Sequence, residues 1–198
     1  MNSICVFCGS SLGNDVVYEQ ITQATGQIIA EQGLTLVYGG GRSGLMGVVA
    51  NSALEAGGKV IGVIPEALVD RELAHAELSE LYVVKDMHER KTKMAELADG
   101  FIALPGGAGT LEEIFEQWTW NQLGIHQKPC AFLNINGFYD DLIKMLQTSV
   151  EHGFSQARFV DTLIVSDNIH DILAAFQKYQ PAVPKWTSRN KFKLEDNL

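Results

Sequence analysis

Short, continuous apolar runs end in glycine-rich loops and give way to amphipathic stretches along most of the chain, and this alternation constrains the fold more than any other feature. ICVFCGS, LTLVYGG, KVIGVIP, GFIALPGG, KPCAFLNI and TLIVSD read as strands, and LYVVK as a further short one. Between them the apolar residues recur with helical period: Val16 to Gln32, about Leu45 to Ala56, Asp86 to Ala98, Leu111 to Leu123, Tyr139 to His152, and Ile169 to Tyr179. The strand runs do not alternate apolar with polar, as expected of parallel strands covered on both faces. Repeated strand-helix units imply an α/β fold, a doubly wound parallel sheet with helices on both faces and right-handed crossovers. The 198 residues suit one sizeable core, and no linker or internal repeat divides them. One domain over residues 1–180 is expected, followed by an extension, 181–198, with a basic patch and no clear period.

In such sheets ligands bind beyond the carboxyl ends of the strands. Three glycine-rich loops fall there, CGSSLG, YGGGRSGLMG and LPGGAGT, and together they could line one crevice. In the second, Gly39, Gly41 and Gly44 satisfy G-x-G-x-x-G between a strand and a helix. Two readings stand: proximity to a phosphate or ribose, or a tight turn with close packing. A dinucleotide site is not expected, because the match follows the second strand rather than the first. The third loop is the stronger signal. Its glycines let backbone N–H groups turn inward, and a helix beginning near Thr110 adds free N–H groups and a positive dipole end. A phosphate is the natural occupant. Thr110-Leu111-Glu112-Glu113 also fits a capping box, in which Glu113 folds back onto the cap. Capping and catalysis are equally open for Glu113, while Glu112 and Glu116 read as solvated or structural.

Upstream, DMHERKTKMAELADG places Met87, Arg90, Lys91 and Met94 on one helical face. A basic pair beside methionines is odd for a solvated surface. Arginine stays charged and grips phosphate or carboxylate bidentately, so Arg90 would position and offset charge rather than donate protons. Its alternative role is an ion pair with a nearby glutamate. His88 reads as structural or surface. His75, His126, His152 and His170 have no metal-ligand spacing.

MHERK at 87–91 together with PGGAGTLEE at 105–113 resembles the Lonely Guy family, cytokinin-activating nucleoside 5′-monophosphate phosphoribohydrolases with the motif P-G-G-x-G-T-x-x-E. CVFCGSS, LVYGGGRSGLMG, VIGVIPEAL, REL at 71–73 and WNQLGIHQKP match as well, so the resemblance covers roughly residues 4 to 155. It implies a Rossmann-like fold and a homodimer. The implied reaction is hydrolysis of the N-glycosidic bond of an adenosine 5′-monophosphate, often N6-substituted, to free base and ribose 5-phosphate. Carried over by position, Arg90 and Glu113 become the catalytic pair. Gly106, Gly107, Gly109 and Thr110 hold the phosphate, and Gly41, Glu72, Met87 and Lys91 contact substrate. No cofactor and no metal is implied. Members of this family have often been labelled possible lysine decarboxylases, but no lysine here has an evident Schiff-base context. The rival of another class is a nucleotide-binding or carrier protein on the same fold, without turnover.

A net charge of −9 argues against nonspecific binding to nucleic acid or to an anionic membrane, but not against a local anion site. The opening MNSICVFCGSS lacks a basic region and a long apolar core, so it does not read as a signal peptide, and a cytoplasmic protein is expected. Three cysteines, an odd count, argue against a disulfide framework. Cys5 and Cys8 form C-x-x-C on a predicted strand, where an offset of three points them to opposite faces. Thiol titration is expected to find three free thiols; a count of one would mean a disulfide.

Overall fold

Each apolar run becomes a strand: β1 (Ser3–Phe7), β2 (Thr35–Tyr38), β3 (Val60–Pro65), β4 (Glu80–Val84), β5 (Phe101–Ala103), β6 (Cys130–Leu133) and β7 (Ile164–Ser166). The helices are α1 (Val16–Glu31), α2 (Gly44–Glu55), α3 (Met87–Leu97), α4 (Ala108–Leu123), α5 (Asp140–Glu151), the single turn α6 (Ala157–Val160) and α7 (Ile169–Lys178). The computed structural model describes residues 1–69 and 74–185. The strands form one sheet in the order β4-β3-β2-β1-β5-β6-β7. Every pairing is parallel, so the doubly wound α/β reading holds. Most of the extension expected at 181–198 lies outside the described residues; residues 181–185 form no helix or strand.

Because successive side chains on a strand point to opposite faces, each central strand feeds two cores. Ile4 and Val6 of β1 join Leu36, Ile102, Ala131 and Leu133 under α1, α2 and α7. Cys5 and Phe7 join Val37, Val63, Phe101 and Phe132 under α3, α4 and α5. The C-x-x-C pair is split as expected, Cys5 into the second core and Cys8 into the first. All three cysteines are free and buried. Burial pushes each of their thiols well above the ordinary range.

The topology has one consequence for the site. After β4, at the sheet edge, the chain must return to β5 beside β1. The helix on that path, α3, therefore runs across β3, β2 and β1. It starts cleanly: Asp86 Oδ1 accepts from the backbone N–H of His88 (3.0 Å) and Glu89 (2.9 Å), and Glu89 Oε2 accepts from Lys85 N (2.8 Å).

On the opposite face α1 and α2 approach closely at Gly26. A Cβ there would overlap Ser52 Oγ and the Val49 carbonyl oxygen. Helix propensity favours alanine over glycine by about 1 kcal/mol. The backbone of α2 cannot yield as a flexible side chain would, so overpacking should win. Gly26→Ala is expected to lower stability by about 1–3 kcal/mol in chemical denaturation; an unchanged or higher midpoint would show that the two helices can part without cost.

Candidate active site

The site forms where α3 and α4 meet the carboxyl ends of β1, β2, β3 and β5. Helix α4 begins at Ala108, three residues earlier than the periodicity suggests, with Gly107 as its cap and no side-chain capping bond. Thr110 is therefore inside the first turn rather than at the cap, and the capping-box role for Glu113 does not hold. Among the described residues no side chain caps the helix start, so the N–H groups of its first turn face the cavity side with the positive end of the dipole. Gly106 is needed by the fold itself, since a Cβ would overlap Thr110 Oγ1. Gly107 and Gly109 are different: among the described residues a Cβ at either would meet nothing within 4 Å beyond its own chain neighbours and helix, and both line a cavity. Glycine at these two positions leaves room for a ligand against the backbone.

That cavity has a volume of about 350 Å³ and brings together Arg90, Glu113, Met87, Gly107, Gly109 and Thr110. Glu113 is buried, and its Oε1 lies 3.3 Å from Arg90 Nη1. The Arg90 guanidinium is almost fully enclosed. Its Nε donates to the Val63 carbonyl (3.1 Å), Nη2 to the Gly39 carbonyl (3.5 Å), and Nη1 reaches Met87 Sδ (3.7 Å). The two sequence readings of Arg90, an ion pair and a site residue, thus describe one arrangement.

Lys91 is not directed at the cavity. Its Nζ donates to Glu112 Oε1 (2.6 Å) and Glu116 Oε1 (3.0 Å). Burial opposes its charge, but the hydrogen bonds to the two glutamates outweigh it and raise the ammonium above the ordinary lysine value of 10.5. Glu112 and Glu116 are structural in this sense, and Lys91 ties α3 to α4. Gly41 is also away from the cavity; it is buried and forms a backbone bridge with Ala74. Its neighbours Gly39 and Gly44 are dictated by close packing: a Cβ at Gly39 would overlap Arg90 Nη2, and one at Gly44 the backbone of Ser10. Of the two readings of G-x-G-x-x-G, packing therefore applies to Gly39 and Gly44. Glu72 lies outside the described residues.

Sequence reasoning did not single out Cys8, Ser10, Met46 or Leu68, which also line the cavity. The position of CGSS at a strand end was the available signal for the first two. An adjoining cavity of about 310 Å³, bordered by Tyr18, Leu45 and Phe138, shares Gly9, Ser10 and Gly107 with the first. Among the described residues no cluster of three or more His, Cys, Asp or Glu side chains could hold a metal ion.

A cytokinin riboside 5′-monophosphate phosphoribohydrolase of Rhodococcoides fascians is 48% identical over 176 residues, covering 88% of this chain and 89% of that protein. One from Arabidopsis thaliana is 41% identical over 192 residues, covering 97% and 90%. The chain belongs to the Lonely Guy family. The matching family model, described as "Possible lysine decarboxylase", spans residues 46–176. Lys91, the buried lysine among the described residues, is held protonated by two carboxylates and so does not fit a Schiff-base nucleophile. Among solved structures, a molybdenum cofactor carrier protein from Chlamydomonas reinhardtii superposes with a TM-score of 0.68 at 22% identity, covering 89% of this chain and 96% of that one. At that identity the likeness is one of fold.

Removing Lys91 would leave the Glu116 carboxylate, whose side chain is 24% exposed, without its cation. Lys91→Met is expected to cost about 1–3 kcal/mol of stability near neutral pH. The folded pKa of Lys91 is raised, so its contribution is complete below about 10.5 and is lost only as pH rises through the higher folded value. Denaturation curves at pH 7 and 9 should show the same deficit; no deficit at either would mean that the clamp carries no stability.

Proposed function

We propose that the chain hydrolyses the N-glycosidic bond of adenosine 5′-monophosphates, with or without an N6 substituent, to the free base and ribose 5-phosphate. The observation that carries this reading is the buried Arg90–Glu113 pair beside the open N-terminus of α4, in one cavity. The names of the phosphoribohydrolase relatives support the same substrate class.

The parts divide the work as follows. The N–H groups around Gly107, Gly109 and Thr110 receive the 5′-phosphate, and the anchored phosphate fixes the ribose nearby. As the C1′–N9 bond breaks, positive charge develops on the ribose in an oxocarbenium-like transition state. Glu113 stabilises that charge and takes a proton from the water whose oxygen bonds to C1′; the departing purine takes up one proton from solvent, and Glu113 later returns one to solvent. Arg90 holds the Glu113 carboxylate in place and offsets negative charge. Met87 borders the cavity and contacts substrate, whereas Lys91 acts through α4. The C-terminal extension and the single domain before it are part of the same reading. The chain is also inferred to work as a homodimer in the cytoplasm. Its three free cysteines suit a reducing compartment. Among the described residues no helix is long and apolar enough to cross a membrane.

Purified protein should release free base from AMP or from N6-isopentenyl AMP, detected by chromatography, without added metal. Glu113→Gln keeps a hydrogen-bond acceptor for Arg90 but loses the charge and the base; its kcat is expected to fall by about 10³-fold or more while the fold persists. Release of base at an undiminished rate would remove Glu113 from the chemistry. AMP binding with no base from either nucleotide would assign the chain to the carrier class instead.

A further inference from the structure

The position of the Arg90 guanidinium is set from behind by the backbone of two strand ends. Gly39 directly follows β2, and Val63 lies within β3. Their carbonyls accept from Nη2 and Nε, and Glu113 lies on the opposite side of the group, at Nη1. A Cβ at Gly39 would occupy the space of Nη2, with Cζ 3.3 Å away and Met46 Sδ at 3.4 Å. Gly39 does not have a positive φ, so its backbone does not require glycine. The one severe conflict that a side chain would meet there is with the arginine itself.

We propose that Gly39 is a positioning residue, whose missing side chain lets Arg90 lie flat on the sheet ends and so meet Glu113. This rests on the reading of Arg90 and Glu113 as the catalytic pair. The guanidinium is held by directed contacts to the carbonyls of Val63 and Gly39, to Met87 Sδ and to Glu113. A methyl group at Gly39 must therefore displace Nη2, and with it the Nη1 that faces Glu113. Alanine adopts the Gly39 backbone readily, and its other neighbour is at ordinary contact distance, so the sheet keeps its register. The consequence is local to the arginine. It falls on the rate of the chemical step rather than on phosphate binding, because the phosphate cradle belongs to α4.

The test is a double-mutant cycle of Gly39→Ala, Arg90→Ala and both, read by kcat and KM for base release from AMP. Gly39→Ala is expected to lower kcat about 100-fold with KM nearly unchanged, the scale of a misplacement of about 1 Å. In the Arg90→Ala background the same substitution should change nothing further. A second readout does not depend on turnover. The Nε–H resonance of Arg90, identified by its loss in Arg90→Lys, should shift and exchange faster with solvent in Gly39→Ala. Retention of kcat within about threefold, a loss carried by KM, an equal loss in the Arg90→Ala background, or an unmoved Nε–H resonance would each overturn the proposal. If Arg90→Ala itself keeps full activity, the catalytic reading fails, and the resonance alone decides whether Gly39 seats the arginine.

Discussion

The buried ion pair between Arg90 and Glu113 is the interaction on which the rest of the site depends. Taking two charges out of water is costly, and a pair in the interior offsets that cost only if its remaining hydrogen-bonding groups are satisfied. Here the sheet supplies what the pair lacks. The carboxyl ends of β2 and β3 present carbonyls to Arg90 through Gly39 and Val63. A helix attached locally to either strand would not also reach α4. The crossover helix does, because it must travel from the edge strand β4 back to β5 beside β1. The strand order thus places an arginine of α3 under two strand ends and beside the helix that follows β5. The doubly wound topology and the site are one construction.

The same pair of helices resolves an electrostatic problem. An acidic chain that receives a phosphate must keep its own carboxylates from repelling it. Three glutamates lie on α4 close to its N-terminus, Glu112, Glu113 and Glu116. Lys91 bridges two of them, its single charge offsetting one of their two, and Arg90 holds the third. Adjacent residues on α3 thereby serve different ends, one tying the helices together and the other placing a carboxylate at the cavity. Had Lys91 turned to the cavity, Glu116 would stand part-buried without that cation. The sequence resemblance, which assigns Lys91 to substrate, does not contain this constraint, because it lies in the distance between two helices.

Most of the fold was legible in the apolar runs, for a physical reason. Strands covered on both faces cannot afford polar positions, so their signal is strong even where β5 shrinks to three residues. The start of α4 was less legible. Glycines carry no periodicity, so the first turn was hidden, and Thr110 with Glu113 imitated a capping box; of α3 and α4, it is α3 that has a side-chain cap, at Asp86. The turn α6 was not anticipated, being too short to show a period. In the site, the residue types of the α4 loop and the Arg90–Lys91 pair were readable, but which glutamate each base would meet was not. That choice depends on the crossing of α3 and α4, which no local pattern records.

The shared fold with a molybdenum cofactor carrier sharpens what distinguishes a catalyst from a binder. A phosphate cradle at a helix N-terminus needs glycines and free N–H groups, and on the proposed reading Gly107 and Gly109 leave the room for it. Binding alone gives no reason to bury a carboxylate beside an anion, because that carboxylate weakens the attraction for phosphate. The cost becomes intelligible if the carboxylate is complementary to something the ground state lacks. Glycosidic cleavage provides it, a positive ribose that exists only in the transition state. On the proposed reading Arg90 serves that carboxylate by holding it where the positive charge forms. A site that only held nucleotide would be served better by an apolar or neutral residue at 113, and the seating of Arg90 on Gly39 would have no purpose.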